Sequence, residues 1–112
     1  MVKPKNRSYS RYATEAAELL GLIIRDARIQ RGLTVAEAAE RAGISRGLVN
    51  RLESGEMGCA IGAAFELAAI VGVPLFDAEP TTLTRNLMNA RDKQSLLPKK
   101  IRKSTKAVKD DF

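Results

Sequence analysis

Arg46, Gly47, Asn50 and Arg51 are the residues whose types and spacing support a definite chemistry. On a helix these positions share one side, while Val49 and Leu52 take the other. The planar fork of an arginine matches the two acceptors on the edge of guanine, and an asparagine amide offers adenine one donor and one acceptor. Those four residues are therefore candidates for contact with DNA bases. Thr34, Ser45 and Ser54 flank them, and hydroxyls or helix-end N–H groups at such rims meet phosphates. The plainer alternative for Arg46 and Arg51 is a solvated charge on an exposed face, and which of the two would read a base is left open. Arg28 and Arg41 are expected to be surface or helix-end charges.

Bond-making chemistry has little to work with. The chain has no histidine, which removes imidazole as a base or ligand, and its single cysteine, Cys59, allows neither an intrachain disulfide nor a cysteine metal cluster. Cys59 lies among Gly58, Ala60 and Ile61 and is expected to be a small packing residue. Asp110 and Asp111 are adjacent and cannot face each other across a cleft. No enzyme activity, metal or cofactor is expected. No run approaches the roughly 18 apolar residues of a membrane span, and the basic start at Met1 has no apolar segment behind it of the kind a secretory signal needs. No membrane partner is expected, and the expected location is the cytoplasm or nucleoid.

The net charge of +6 over 112 residues is unevenly placed. Residues 1–12 carry +4, residues 13–80 carry −4 and residues 81–112 carry +6. The middle, rich in Ala, Leu and Ile, has the composition of a small core, and the lysine-rich run 99–109 that of a solvated tail. That run is either solubilising or a peptide that orders on a partner.

Five helices are predicted, and no strand. The first has Thr14 as N-cap, with Glu15 and Glu18 near its start and Arg28 and Arg31 near its end at Gly32. Leu20, Ile24 and Ala27 form its inner face, whereas Leu19, Leu22 and Ile23 widen the apolar surface toward a second contact, either the C-terminal helix or a partner subunit. Thr34-Val35-Ala36-Glu37 is a capping box opening a second helix that ends at Gly43. Ser45 caps a third, Arg46 to Glu53, closed by Ser54 and Gly55. A fourth spans about Ile61 to Val71 with Phe65 and Ala68 inward, and a fifth starts near Thr81 or Thr82 and runs toward Arg91. Tyr9 and Tyr12 either follow DNA as part of an arm or, the favoured reading, pack on the core.

Thr34 to Gly55 thus has the spacing of a helix-turn-helix: Ala39 is small at the crossing, Gly43 permits the turn, and Ile44, Val49 and Leu52 anchor the second helix. The fold class is all-α, a compact five-helix bundle with basic N- and C-terminal extensions. The organisation is a basic arm at 1–13, the helix-turn-helix domain at 14–78, a C-terminal helix at 79–95 and a basic, disordered tail at 96–112.

The stretch Leu22 to Leu75 resembles the Cro and phage-repressor (Xre) helix-turn-helix family. The resemblance is carried by Ile24-Arg25-Asp26-Ala27-Arg28, Gly32-Leu33-Thr34, Ala39 to Ser45, Leu52-Glu53-Ser54-Gly55 and Leu67-Ala68. It implies a lambda-repressor-like DNA-binding domain that binds palindromic double-stranded operators as a homodimer. Val35 is a departure, standing where the family often has a glutamine that braces the phosphate backbone. More narrowly, Tyr9-Ser10-Arg11-Tyr12, the segment Gly55 to Val73, and the ending Leu96 to Arg102 with Asp110-Asp111-Phe112 are similar to HipB-type antitoxins. That similarity implies a repressor that also binds a HipA-family kinase toxin. The alternatives are a stand-alone regulator of the same family or an interaction module that no longer reads DNA. Because the middle of the chain is acidic, removing residues 1–12 is expected to lower DNA affinity and to flatten its salt dependence, by about 1 in log–log slope for each phosphate no longer neutralised; a salt titration of binding measures this.

Overall fold

The computed structural model describes residues 8–76, 79–101 and 103. Lys3, Lys5, Arg7, Asp77, Ala78, Arg102 and everything from Ser104 onward, the acidic end included, lie outside the described residues. Five helices are present: α1 Arg11–Gln30, α2 Val35–Ala42, α3 Arg46–Glu53, α4 Ile61–Val71 and α5 Pro80–Leu96. The described residues contain no strand. The chain divides into two compact units, 1–75 with α1 to α4 and 76–112 with α5, so the five expected helices are distributed over two bodies.

Helix α1 begins one turn earlier than Thr14. The Ser10 hydroxyl accepts from the Ala13 N–H at 3.1 Å, and Thr14 donates its own hydroxyl to the Ser10 carbonyl at 3.0 Å. Both residue types can cap, but nothing in Arg11 to Ala13 opposes a further turn, and Arg11 pairs with Glu15 one turn on at 3.5 Å. A deletion that isolates the basic arm therefore stops at Tyr9, since removing Ser10 also removes the cap. Tyr12 is 84% exposed, so the packing expected for it does not occur.

The core of the first unit is assembled from Ile24, Leu33, Ala38, Ala39, Ala42, Val49, Leu52, Leu67, Ala68 and Val71. Helix α2 packs against α3 and α4, and α1 packs against the same two. Phe65 is not part of this core, being 38% exposed. Ala64, Leu67, Ala68 and Val71 recur at helical spacing and form the inward stripe of α4, leaving Phe65 about 100° round from its centre. Leu19, Leu22 and Ile23 are exposed on the outer side of α1, as the width of its apolar surface predicted.

Arg28, expected at the surface, is instead the buried link between α1 and α3. It and Glu53 are each 8% exposed. Arg28 Nε donates to Glu53 Oε2 at 2.6 Å and Nη2 to Oε1 at 3.0 Å, while Nη1 donates to the Leu33 carbonyl at 2.8 Å. The hydrogen bond to Glu53 holds the guanidinium pKa above its ordinary value, against the opposing effect of burial. Two glycines bring the backbones together beside this pair. A Cβ on Gly21 would lie 2.6 Å from the carbonyl oxygens of both Leu52 and Glu53, and one on Gly55 would lie 2.8 Å from Glu18 Cα. Gly55 also has φ +80°, a left-handed conformation that side chains disfavour.

In the second unit α5 starts with Pro80 in its first turn, one or two residues before the expected start, where the missing N–H costs nothing. It continues past Arg91 to Leu96 because no breaker intervenes. Leu97 is extended (φ −97°, ψ 154°), as required of a residue before proline.

Arg28→Met strands the Glu53 carboxylate in the core and lowers stability by about 3–5 kcal/mol, whereas Arg28→Met with Glu53→Leu recovers most of that loss; urea melts of the three proteins measure both. In the capping box of α2, the Thr34 backbone N–H and then its side chain hold the Glu37 carboxyl below the ordinary carboxylate value. A carboxyl with a lowered folded pKa stabilises above its unfolded pKa and loses that contribution as pH falls through the folded one. Amide protection factors over residues 34–42, which remove the intrinsic pH dependence of exchange, will therefore fall as pH falls below the ordinary glutamate range, with Glu37→Gln lacking this component.

Candidate nucleic-acid interface

The geometry of the interface begins at the turn between α2 and α3. Gly43 adopts φ +72°, ψ 31°, and its N–H donates to the Glu40 carbonyl at 3.3 Å while that of Ile44 donates to Ala39 at 3.0 Å. These bonds satisfy the last carbonyls of α2 and turn the chain within three residues. Ser45 then caps α3, its hydroxyl accepting from the Leu48 N–H at 3.0 Å. Val49 and Leu52 are buried beneath α3, and half-buried Ile44 and Leu48 pack beside them. Arg46, Gly47, Asn50 and Arg51 are all exposed on its outer side, so the structure brings the four predicted base contacts onto one surface.

The three predicted phosphate contacts differ in what they retain. Thr34 accepts from the Glu37 N–H at 3.0 Å and its hydroxyl also serves the Glu37 carboxylate, whereas Ser45 accepts from Leu48 and keeps its proton for an external acceptor. Ser54 donates its hydroxyl to the Arg51 carbonyl at 3.0 Å, and its N–H goes to Asn50, so it would have to release a bond to donate to a phosphate. Val35 is half-buried and packs against the core, which is why this position has no polar group to offer a backbone.

Two cations are placed in ways the spacing did not disclose. Arg25 of α1 lines an open groove with Leu22, Asn50, Glu53 and Ser54, beside the C-terminal half of α3. A second arginine, Arg51, forms an ion pair with Glu56, Nε to Oε1, at 3.0 Å across the end of α3. Arg25 lies two turns before Gly32 on a different helix from Asn50, and Glu56 lies beyond a turn, so neither neighbour follows from helical periodicity. Arg46 borders a shallow cleft between α2 and α3 that also carries Glu37 and Glu40.

Other chemistry is sparse among the described residues. No group of His, Cys, Asp or Glu is arranged to hold a metal, and no helix is long and apolar enough to cross a membrane. Cys59 is a half-buried free thiol packed against the core.

A search of curated proteins finds no match to the chain. Residues 24–77 match the model of the Helix-turn-helix family. This range begins at the buried Ile24 of α1 and takes in all of α2, α3 and α4, so it contains both the turn and the exposed surface of α3. Residues 24–77, just under half of the chain, are thus similar to helix-turn-helix domains of the Xre and lambda-repressor-like type, which serve as DNA-binding domains of transcription regulators.

Proposed function

We propose that the chain is a sequence-specific transcriptional repressor that binds a palindromic operator as a homodimer. The observation that carries this reading is the division of α3 into a buried side, Val49 and Leu52, and an exposed side, Arg46, Gly47, Asn50 and Arg51. The N-terminal end of α3 enters the major groove, where Arg46 and Arg51 pair with guanine and Asn50 with adenine. Gly47 has no side chain to hold the helix away from the base edges. Thr34, Ser45 and Ser54 sit against phosphates, with Arg25 a further cation in the groove that Ser54 lines.

More narrowly, the protein is the antitoxin of a HipBA-like pair, holding a HipA-family kinase toxin and repressing the shared operon. The similarity of Tyr9 to Tyr12, Gly55 to Val73 and the C-terminal ending to HipB-type antitoxins supports this. The exposed apolar residues Leu19, Leu22 and Ile23 favour a second reading, an interaction module that acts through α1 without reading DNA. A stand-alone regulator of the same family is what remains if no kinase-like partner co-purifies with the chain.

Mobility shifts on the DNA upstream of its own gene separate these readings. Arg46→Ala or Arg51→Ala is expected to cost about 1–3 kcal/mol at the contacted base pair. Undiminished binding by the double variant would contradict the recognition role of α3, and binding without sequence preference would favour the interaction module.

A further inference from the structure

Arg51 is held more definitely than an exposed arginine needs to be. Its Nε stands 3.0 Å from Glu56 Oε1 in an ion pair, and the Glu56 backbone N–H donates to the Arg51 carbonyl, also at 3.0 Å. Ser54 and Gly55 form the turn that folds Glu56 back over the end of α3. At its other side the guanidinium lies along the helix one turn back. A Cβ on Gly47 would be in ordinary contact with Arg51 Nη1, at 3.6 Å. Both partners of the pair are about half exposed, and exposed pairs of this kind add little to folding.

We infer that Glu56 is a positioning residue for base recognition, holding the Arg51 guanidinium by Nε so that its two terminal nitrogens face guanine together. This rests on the reading in which Arg51 contacts a base. An arginine side chain turns about several bonds, and ordering it on the target opposes binding. A carboxylate already paired beside Nε removes part of that ordering and leaves Nη1 and Nη2, neither hydrogen-bonded among the described residues, for O6 and N7 of guanine. On the same reading the carboxylate repels the phosphates of any bound duplex, which lowers affinity for every sequence. Glu56 thereby increases the difference between right and wrong sites at the expense of general affinity.

The test uses the full chain and duplexes recovered by selection from random-sequence DNA. The base pair read by Arg51 is first located as the one at which Arg51→Ala loses preference. At that pair Glu56→Ala is expected to reduce the preference for guanine about tenfold, while binding to poly(dI-dC) stays the same or tightens. Glu56→Gln, which keeps an acceptor oxygen of the same reach beside Nε, is expected to retain part of the preference, a rescue that a general charge effect would not give. If Glu56→Ala tightens selected and non-selected duplexes by one common factor, Glu56 only repels phosphate and the positioning role is overturned. If Arg51→Ala discriminates at every pair as the parent does, Arg51 reads no base and the inference fails with the reading beneath it.

Discussion

The placement of α3 depends on how closely α1 can approach it. An eight-residue helix has little stability of its own, so its orientation is imposed by what it packs against. Gly21 lets the backbone of α1 meet the last carbonyls of α3, Gly55 lets the following turn close over Glu18, and Arg28 binds the final side chain of α3 through a two-point carboxylate pair. Taking two charges out of water is unfavourable, and a well-packed apolar pair would serve stability as well or better. The ionic pair fixes geometry more narrowly, because two parallel hydrogen bonds of fixed direction define both the rotation and the height of α3 against α1. The third bond, from Nη1 to the Leu33 carbonyl, ties the entrance of α2 to the same guanidinium. One side chain thus coordinates α1, the start of the helix-turn-helix and its end.

Charge follows a different plan from geometry. Residues 13–80 carry −4, although the surface that would meet an anionic polymer lies within them. Glu37 and Glu40 even share a cleft with Arg46, and Glu56 is paired with Arg51. A surface arranged in this way has weak bulk attraction for DNA and relies on a few directed donors, whereas the basic ends supply the long-range field. In the proposed repressor such a separation favours discrimination among sequences over tight binding to any of them.

Features set by interactions within one turn were legible in the sequence. The capping box at Thr34, the turn at Gly43 and the cap at Ser45 stand where local hydrogen-bond chemistry put them, and the exposed side of α3 follows from its boundaries. The start of α1 was displaced because Ser10 and Thr14 are both competent caps and only the intervening residues decide between them. Periodicity could not place Arg28, whose partner is 25 residues away. A signal did exist, since Glu53 follows Leu52 on the inward side of α3, and an acid there requires a cation. Phe65 is expected inward with Ala68, but the stripe that Ala64, Leu67, Ala68 and Val71 define leaves it outside the core. The Arg51–Glu56 pair crosses a helix end at a spacing that no regular element produces.

That α3, set by its crossing with α1, presents one surface to DNA is tested most directly by backbone and arginine side-chain chemical shifts of the full chain, titrated with a selected duplex. The largest changes are expected on Arg46, Gly47, Asn50 and Arg51, with smaller ones at Thr34 and Ser45 and little change along Leu19, Leu22 and Ile23. Changes concentrated on that stripe of α1, with α3 unmoved, would contradict it.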